Sequence, residues 1–133
     1  MREPADRPLS HEDAAGLGFE AVGQRLREER AEVSARLATM AKDLESVFAA
    51  SMDSNADDEH DPEGQTISYE REQLSALIRA AREHLSAIEM AAARLENGEY
   101  GICEVCLKPI PTARLEVRLT ARTCVQHAVI DNR

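Results

Sequence analysis

This chain of 133 residues contains no tryptophan, only two phenylalanines and two tyrosines, and only three cysteines. Aromatic side chains supply much of the bulk of a globular core, and at 3% of the residues they are too few for a large one. No apolar run approaches the ~20 residues that cross a bilayer as a helix, so no membrane span is expected. There is no phosphate-binding glycine loop and no nucleophile with an identifiable base, so a stand-alone enzyme is not expected. Clustered Lys and Arg are also lacking, and the formal net charge is -9. That argues against general binding to nucleic-acid phosphates. It suits a basic protein partner or a channel lined by cations. Three cysteines would leave one unpaired in any disulfide scheme, and no secretory leader is seen. Reduced thiols, no leader and no membrane span together point to the cytoplasm.

What is present is the composition of long helices, rich in Ala, Glu, Arg and Leu. Such a chain forms one domain, or one with a small appendage. Its most specific signal is Cys103-Glu104-Val105-Cys106, followed after seventeen residues by Cys124-Val125-Gln126-His127. This C-x2-C-x17-C-x2-H pattern uses every cysteine of the chain. Two tight knuckles can each give two ligands to a tetrahedral Zn²⁺, at a separation suited to a small zinc ribbon or treble-clef-like finger. Reading the cysteines as buried apolar side chains leaves their paired spacing unexplained. Four protein ligands close the coordination shell, so Cys103, Cys106, Cys124 and His127 are expected to hold one structural zinc.

In chain order, residues 1–17 read as a flexible tail. Residues 18–97 read as a helical hairpin with an acidic tip at 53–66, and 98–133 as the zinc finger and a C-terminal helix. The first helix starts between Ser10 and Phe19 and runs to about Met52. Leu26, Val33, Met40 and Val47 recur every seven residues, with Leu37 and Leu44 interleaved. This is a heptad seam, interrupted at Arg30 and Ser51. Asp61-Pro62 and Gly64 break the pattern. A second helix runs from about Ile67 to Glu96, with Leu74, Ala81, Ile88 and Leu95 repeating and Leu77, Ile78, Leu85 and Ala92 on the same side. Asn97-Gly98 is a stop signal. Leu115, Val117 and Leu119 alternate with polar residues and predict a short strand. Cys124 then opens a short helix whose Val125, Val129 and Ile130 would pack on the finger or the hairpin base. The fold class is therefore mainly α: a long antiparallel two-helix coiled-coil hairpin with a small zinc-finger module and a short C-terminal helix. His84 reads as a tolerated position beside the seam, and His60 as a solvated turn residue.

This layout resembles the DksA/TraR family of bacterial RNA polymerase regulators. The residues that carry the resemblance are Gly98-Glu99-Tyr100-Gly101-Ile102-Cys103-Glu104-Val105-Cys106, Pro109-Ile110, the run from Arg114 to Ala121, and Cys124. The hairpin matches in architecture and spacing, so the resemblance covers about residues 20–133. It implies a transcription regulator that binds RNA polymerase directly, without sequence-specific DNA binding. A monomeric hairpin would enter the secondary channel, with Asp57, Asp58, Asp61 and Glu63 presenting charge near the Mg²⁺ of the active site. The chain departs from the family at three places. His127 stands where Cys is commonest, and an imidazole nitrogen suits zinc equally well. The tip run Asp58-Glu59-His60-Asp61-Pro62-Glu63 has Glu63 in place of the family's Ala, while ungapped counting from Cys103 places Gln65 there. Of the three positive positions behind the family's response to guanosine tetraphosphate, Arg118 matches and Ala87 and Ala128 do not. A weak or absent response to that nucleotide follows, because a polyanion site loses two of its cations. The residues themselves leave two other functions open. One is a transcript-cleavage factor using the same channel; the other is a zinc-stabilised coiled-coil adaptor unrelated to polymerase.

Overall fold

The computed structural model describes residues 18–54 and 62–131, with side chains described for 18–52 and 65–129. Two long helices, α1 (Phe19–Ser54) and α2 (Pro62–Glu96), are followed by a one-and-a-half-turn helix α3 (Thr112–Val117). A 3-10 turn (Val125–His127) then leads directly into α4 (Ala128–Asp131). Among the described residues there is no strand, only an isolated antiparallel bridge between Ile102 and Pro109.

Both long helices extend further towards each other in sequence than their apolar pattern predicts. Pro62, read from the sequence as a break, is instead the first residue of α2. A proline there forfeits nothing, because the first N–H groups of a helix have no partner inside it. Residues 53–54 and 62–66 are thus helical rather than turn, and 55–61 lie outside the described residues. At the other end of α1, Gly18 adopts φ +81, and its carbonyl accepts the Val22 N–H at 2.7 Å. Any expectation for residues 1–17 lies outside the described residues.

The chain divides into two compact units, Met1–Arg30 with Ser86–Arg133, and Ala31–Leu85. In the second unit α1 and α2 pair along the heptad rows. Val33, Ile78 and Ala81 are buried, while Leu37, Met40, Leu44, Val47, Leu74 and Leu85 are half-buried. Leu77 is a correction: expected on the seam, it is 56% exposed. Ile78 and Ala81 already fill that row, and a residue adjacent to Ile78 lies ~100° away around the helix. His84 is half-buried, as expected beside the seam.

In the first unit the opening turns of α1 lie with the closing turns of α2, burying Val22, Leu26, Ile88, Ala91 and Leu95. Here α2 ends in a left-handed cap. Gly98 takes φ +77 and the Glu99 N–H donates to the Arg94 carbonyl at 2.8 Å, the pattern that satisfies the last orphan carbonyls of a helix. The same unit contains the finger, whose core is Tyr100, Ile110, Leu115, Leu119, Ala121 and Thr123. The Tyr100 hydroxyl donates to the Leu119 carbonyl at 2.7 Å. Its burial pushes the phenol up to about 12, against the opposing pull of Arg94 and Arg25.

No strand forms around Leu115–Leu119: Leu115–Val117 close helix α3, Arg118 is its extended cap and Leu119 lies in the following turn. Leu115 and Leu119 are buried, but Val117 between them is 90% exposed. An alternation of so few residues cannot by itself separate a strand from a short helix and the turn after it. Pro111 decides locally: its carbonyl accepts the N–H groups of Arg114 and Leu115 at 3.0 and 3.1 Å. The C-terminal helix forms where expected. Of the residues expected to pack, Val125 and Val129 are instead 66% and 77% exposed, and the Ile130 side chain lies outside the described ones. What this segment supplies to the finger is His127.

Candidate metal centre

The first knuckle is a tight backbone loop. The Cys103 N–H donates to the Lys108 carbonyl at 2.8 Å, and the Cys103 carbonyl accepts the Leu107 N–H at 2.9 Å. The Ile110 N–H reaches the Gly101 carbonyl at 2.7 Å beneath it. Closing the loop forces Leu107 to φ +62, the left-handed region that favours glycine. In the second knuckle Cys124 precedes the 3-10 turn in an extended conformation, and its carbonyl accepts the His127 N–H at 3.0 Å. That single turn swings the imidazole back towards the Cys124 sulfur. The knuckles are joined by the Glu104 N–H, which donates to the Arg122 carbonyl at 2.9 Å.

Together these turns bring Cys103, Cys106, Cys124 and His127 to one point, with their ligand atoms all within 4.8 Å of one another. The Cys106 and Cys124 Sγ atoms are 3.9 Å apart. His127 Nδ1 lies 3.7 Å from Cys103 Sγ and 3.2 Å from Cys124 Sγ. Tetrahedral zinc with ordinary Zn–S and Zn–N bonds needs ~3.8 Å between sulfurs and ~3.6 Å between sulfur and nitrogen. The observed spacings fit that cage without rearrangement of the backbone.

The electrostatics also suit a cation. Burial raises the Cys103 thiol pKa, but backbone N–H groups of Cys106, Cys124 and Val105 outweigh it and bring it down to about 6. The Val105 N–H points at this sulfur at 3.4 Å. At Cys106 the Lys108 N–H pulls downward, yet desolvation and the neighbouring Cys103 and Cys124 groups push the thiol up overall. The Cys103 sulfur is therefore prepared as a thiolate, and the Cys106 thiol resists ionising beside it until a cation arrives. The cluster can hold a metal ion, and three sulfurs with one imidazole are soft-to-borderline donors.

The other residues singled out from the sequence are placed differently. Asp57, Asp58 and Asp61 lie outside the described residues, as does His60. Glu63 is described only as backbone in the first turn of α2. Arg118 is half-buried at the end of α3, its N–H on the Arg114 carbonyl at 2.7 Å. Ala87 and Ala128 are half-buried.

Arg25 and Arg94, which the sequence reading passed over, and Arg114, which it cited only within the family-like run, tie the finger to the helices or to itself. Arg25 of α1 donates to the Glu116 carbonyl at 3.3 Å. Arg94 of α2 donates to the Ala121 carbonyl at 3.3 Å and faces the Glu104 carboxylate at 3.6 Å. Arg114 donates to the Thr123 carbonyl, next to the Cys124 ligand, at 2.8 Å. Only a weak signal could have found them: Arg94 is the basic residue of the last turn of α2, a position that ordinarily reads as helix-dipole compensation.

No protein-family model matches the chain. Over 77 residues it is 46% identical to the uncharacterized protein YteA of Bacillus subtilis, covering 58% of this chain and 32% of that protein. Over 45 residues it is 47% identical to the RNA polymerase-binding transcription factor DksA of Caulobacter vibrioides, covering 34% of this chain and 32% of that protein. The matches thus span about a third of the length of these curated relatives. Among solved structures the chain is similar to transcription factor DksA2 from Pseudomonas aeruginosa. The TM-score is 0.70 at 25% identity, over 90% of this chain and 89% of the other. Among the described residues no helix is long and apolar enough to cross a membrane.

Proposed function

We propose that this chain, which belongs to the DksA/TraR family, is a transcription regulator that binds RNA polymerase directly through its helical hairpin. The observation that carries the reading is the extent of the likeness to DksA2, over 90% of the chain. A shared finger alone would leave the adaptor reading equal to it; a shared hairpin and finger do not. The hairpin enters the secondary channel, and Asp57, Asp58, Asp61 and Glu63 carry negative charge towards the polymerase's Mg²⁺ and basic side chains. Cys103, Cys106, Cys124 and His127 hold one Zn²⁺, which closes the two knuckles and has no open position for catalysis. The regulator acts by binding polymerase states unequally and is not itself an enzyme. It works as a monomer in the cytoplasm. Ala87 and Ala128 leave Arg118 as the one cation for guanosine tetraphosphate, so the response to that nucleotide is weak or absent.

The test is competition between the zinc-loaded protein and a known secondary-channel factor for core RNA polymerase, beside an Asp58→Ala/Asp61→Ala variant. Mutually exclusive binding is expected, with the variant still binding but no longer altering transcription. No binding at micromolar concentration would remove the polymerase reading.

A further inference from the structure

We infer that Arg94, together with Glu104, is a positioning pair for the metal centre, by which the hairpin holds the two knuckles in register. The inference rests on the zinc reading above. Arg94 belongs to the last turn of α2, outside the finger, yet its guanidinium reaches both halves of the metal cage. Its Nη1 lies 3.6 Å from Glu104 Oε2, and Glu104 is the residue between Cys103 and Val105 in the first knuckle. Its Nη2 donates to the Ala121 carbonyl at 3.3 Å, on the segment that leads into Cys124.

Glu104 completes the link. Its other carboxylate oxygen is 3.4 Å from Arg122 Nη1, and its N–H donates to the Arg122 carbonyl at 2.9 Å. The two knuckles are therefore coupled through one carboxylate, and Arg94 of α2 sets one arm of its fork against that carboxylate and the other on the Ala121 carbonyl. The Arg94 side chain is only 12% exposed, against 41% for Glu104. A guanidinium this well buried is weakly screened, so its pairing is not the near-neutral surface ion pair that exposure would produce. Arg suits the position because its fork can address a carboxylate and a carbonyl at once, which an ammonium on a flexible stem does less well.

Groups that hold metal ligands in place typically govern affinity rather than ligand identity, and removing them weakens metal binding by ~10–100-fold. Arg94 and Glu104 are not themselves in the Cys/His cluster, so their effect is on the cost of bringing the knuckles together. The converse also holds: metal binding tightens the grip of the finger on α2, since coupling between two sites is reciprocal.

The experiment is a zinc affinity measurement on the full chain by competition with a chromophoric chelator. The Co²⁺ absorption spectrum reports the ligand set and far-ultraviolet circular dichroism reports the helices. Arg94→Gln and Glu104→Gln should each bind zinc ~10–100-fold more weakly, with the Co²⁺ spectrum of three sulfurs and one nitrogen unchanged. Arg94→Lys should fall between Arg94→Gln and wild type. The double variant should lose less than the sum of the two single losses, because the two residues share one contact. Arg30→Gln, which removes an exposed pair with Glu89 in the same unit, should leave affinity as in wild type. If Arg94→Gln fails to fold, the isosteric Glu104→Gln decides alone. Wild-type affinity in Glu104→Gln, or strictly additive losses in the double variant, would overturn the pair. A wild-type chain that takes up no zinc would overturn the zinc reading, and the pair with it.

Discussion

The two units of this chain use the same heptad pattern and bury it to different depths. In the first, Val22, Leu26, Ile88, Ala91 and Leu95 are all buried, and the unit also contains the finger. In the second, Val33, Ile78 and Ala81 are buried while six other seam residues remain half-open. A pair of helices covers only the sides of its seam that face each other; a third layer is needed to close the rest. In the first unit that layer is the finger, tied on through Arg25 to Glu116 and through Arg94 to Ala121. The stability of one unit thus draws on the finger and its Cys/His cluster, and that of the other on apolar contact along two helices.

Metal removal should break the comparison most completely. Structural zinc in small fingers supplies ~10–16 kcal/mol of apparent binding energy at neutral pH, so chelation is expected to release the finger. The ultraviolet difference spectrum should show Tyr100 becoming exposed, since Tyr69 is exposed already. The helical circular dichroism signal should fall by a smaller fraction, because most helical residues lie in the second unit. A next contrast compares core truncations. Leu26→Ala in the closed unit should cost ~2–5 kcal/mol, and Leu44→Ala on the half-open seam about 1 kcal/mol, by urea unfolding of the metal-loaded protein. Equal losses would show that the finger adds no third layer.

Tyr100→Phe probes the finger's buried hydrogen bond. Leaving the Leu119 carbonyl without its donor should cost ~1–3 kcal/mol. The pH dependence has a defined sign. Burial raises the folded-state phenol to about 12, against ~10 in the unfolded chain. Its contribution is fully present below pH ~10 and is lost as pH rises through about 12. An alkaline stability scan of Tyr100→Phe should lack that loss. The smallest effect is expected at Leu107, which is 67% exposed and held at φ +62. Leu107→Gly relieves ~1–2 kcal/mol of left-handed strain and adds ~0.5–1 kcal/mol of unfolded-state entropy. The net gain should be near ~1 kcal/mol or less, read as a modest rise in the thermal midpoint.

Much of this was legible without coordinates. The seven-residue repeat marks paired helices, and Asn97-Gly98 marks the end of α2 at the residue where the left-handed cap forms. The four residues that cluster at the candidate metal centre could be named because zinc demands a donor set and a spacing that few other functions share. The errors were equally physical. Pro62 reads as a break or as a start depending on which N–H groups lack partners. The alternation from Leu115 to Leu119 is too short to separate a strand from the helix end and turn that form there, and Leu77 lies one step off a row that Ile78 already fills.

The sequence by itself determined the two long helices and the four residues that gather at the candidate metal centre, because both depend on short-range periodicity and on spacing along the chain. Only the tertiary structure decided which seam residues are closed and which side chains hold the knuckles to the hairpin. Those outcomes depend on groups far apart in sequence, such as Arg94 and Ala121 or Arg25 and Glu116. No local pattern encodes an arginine whose partners are a carboxylate and a carbonyl on two different loops.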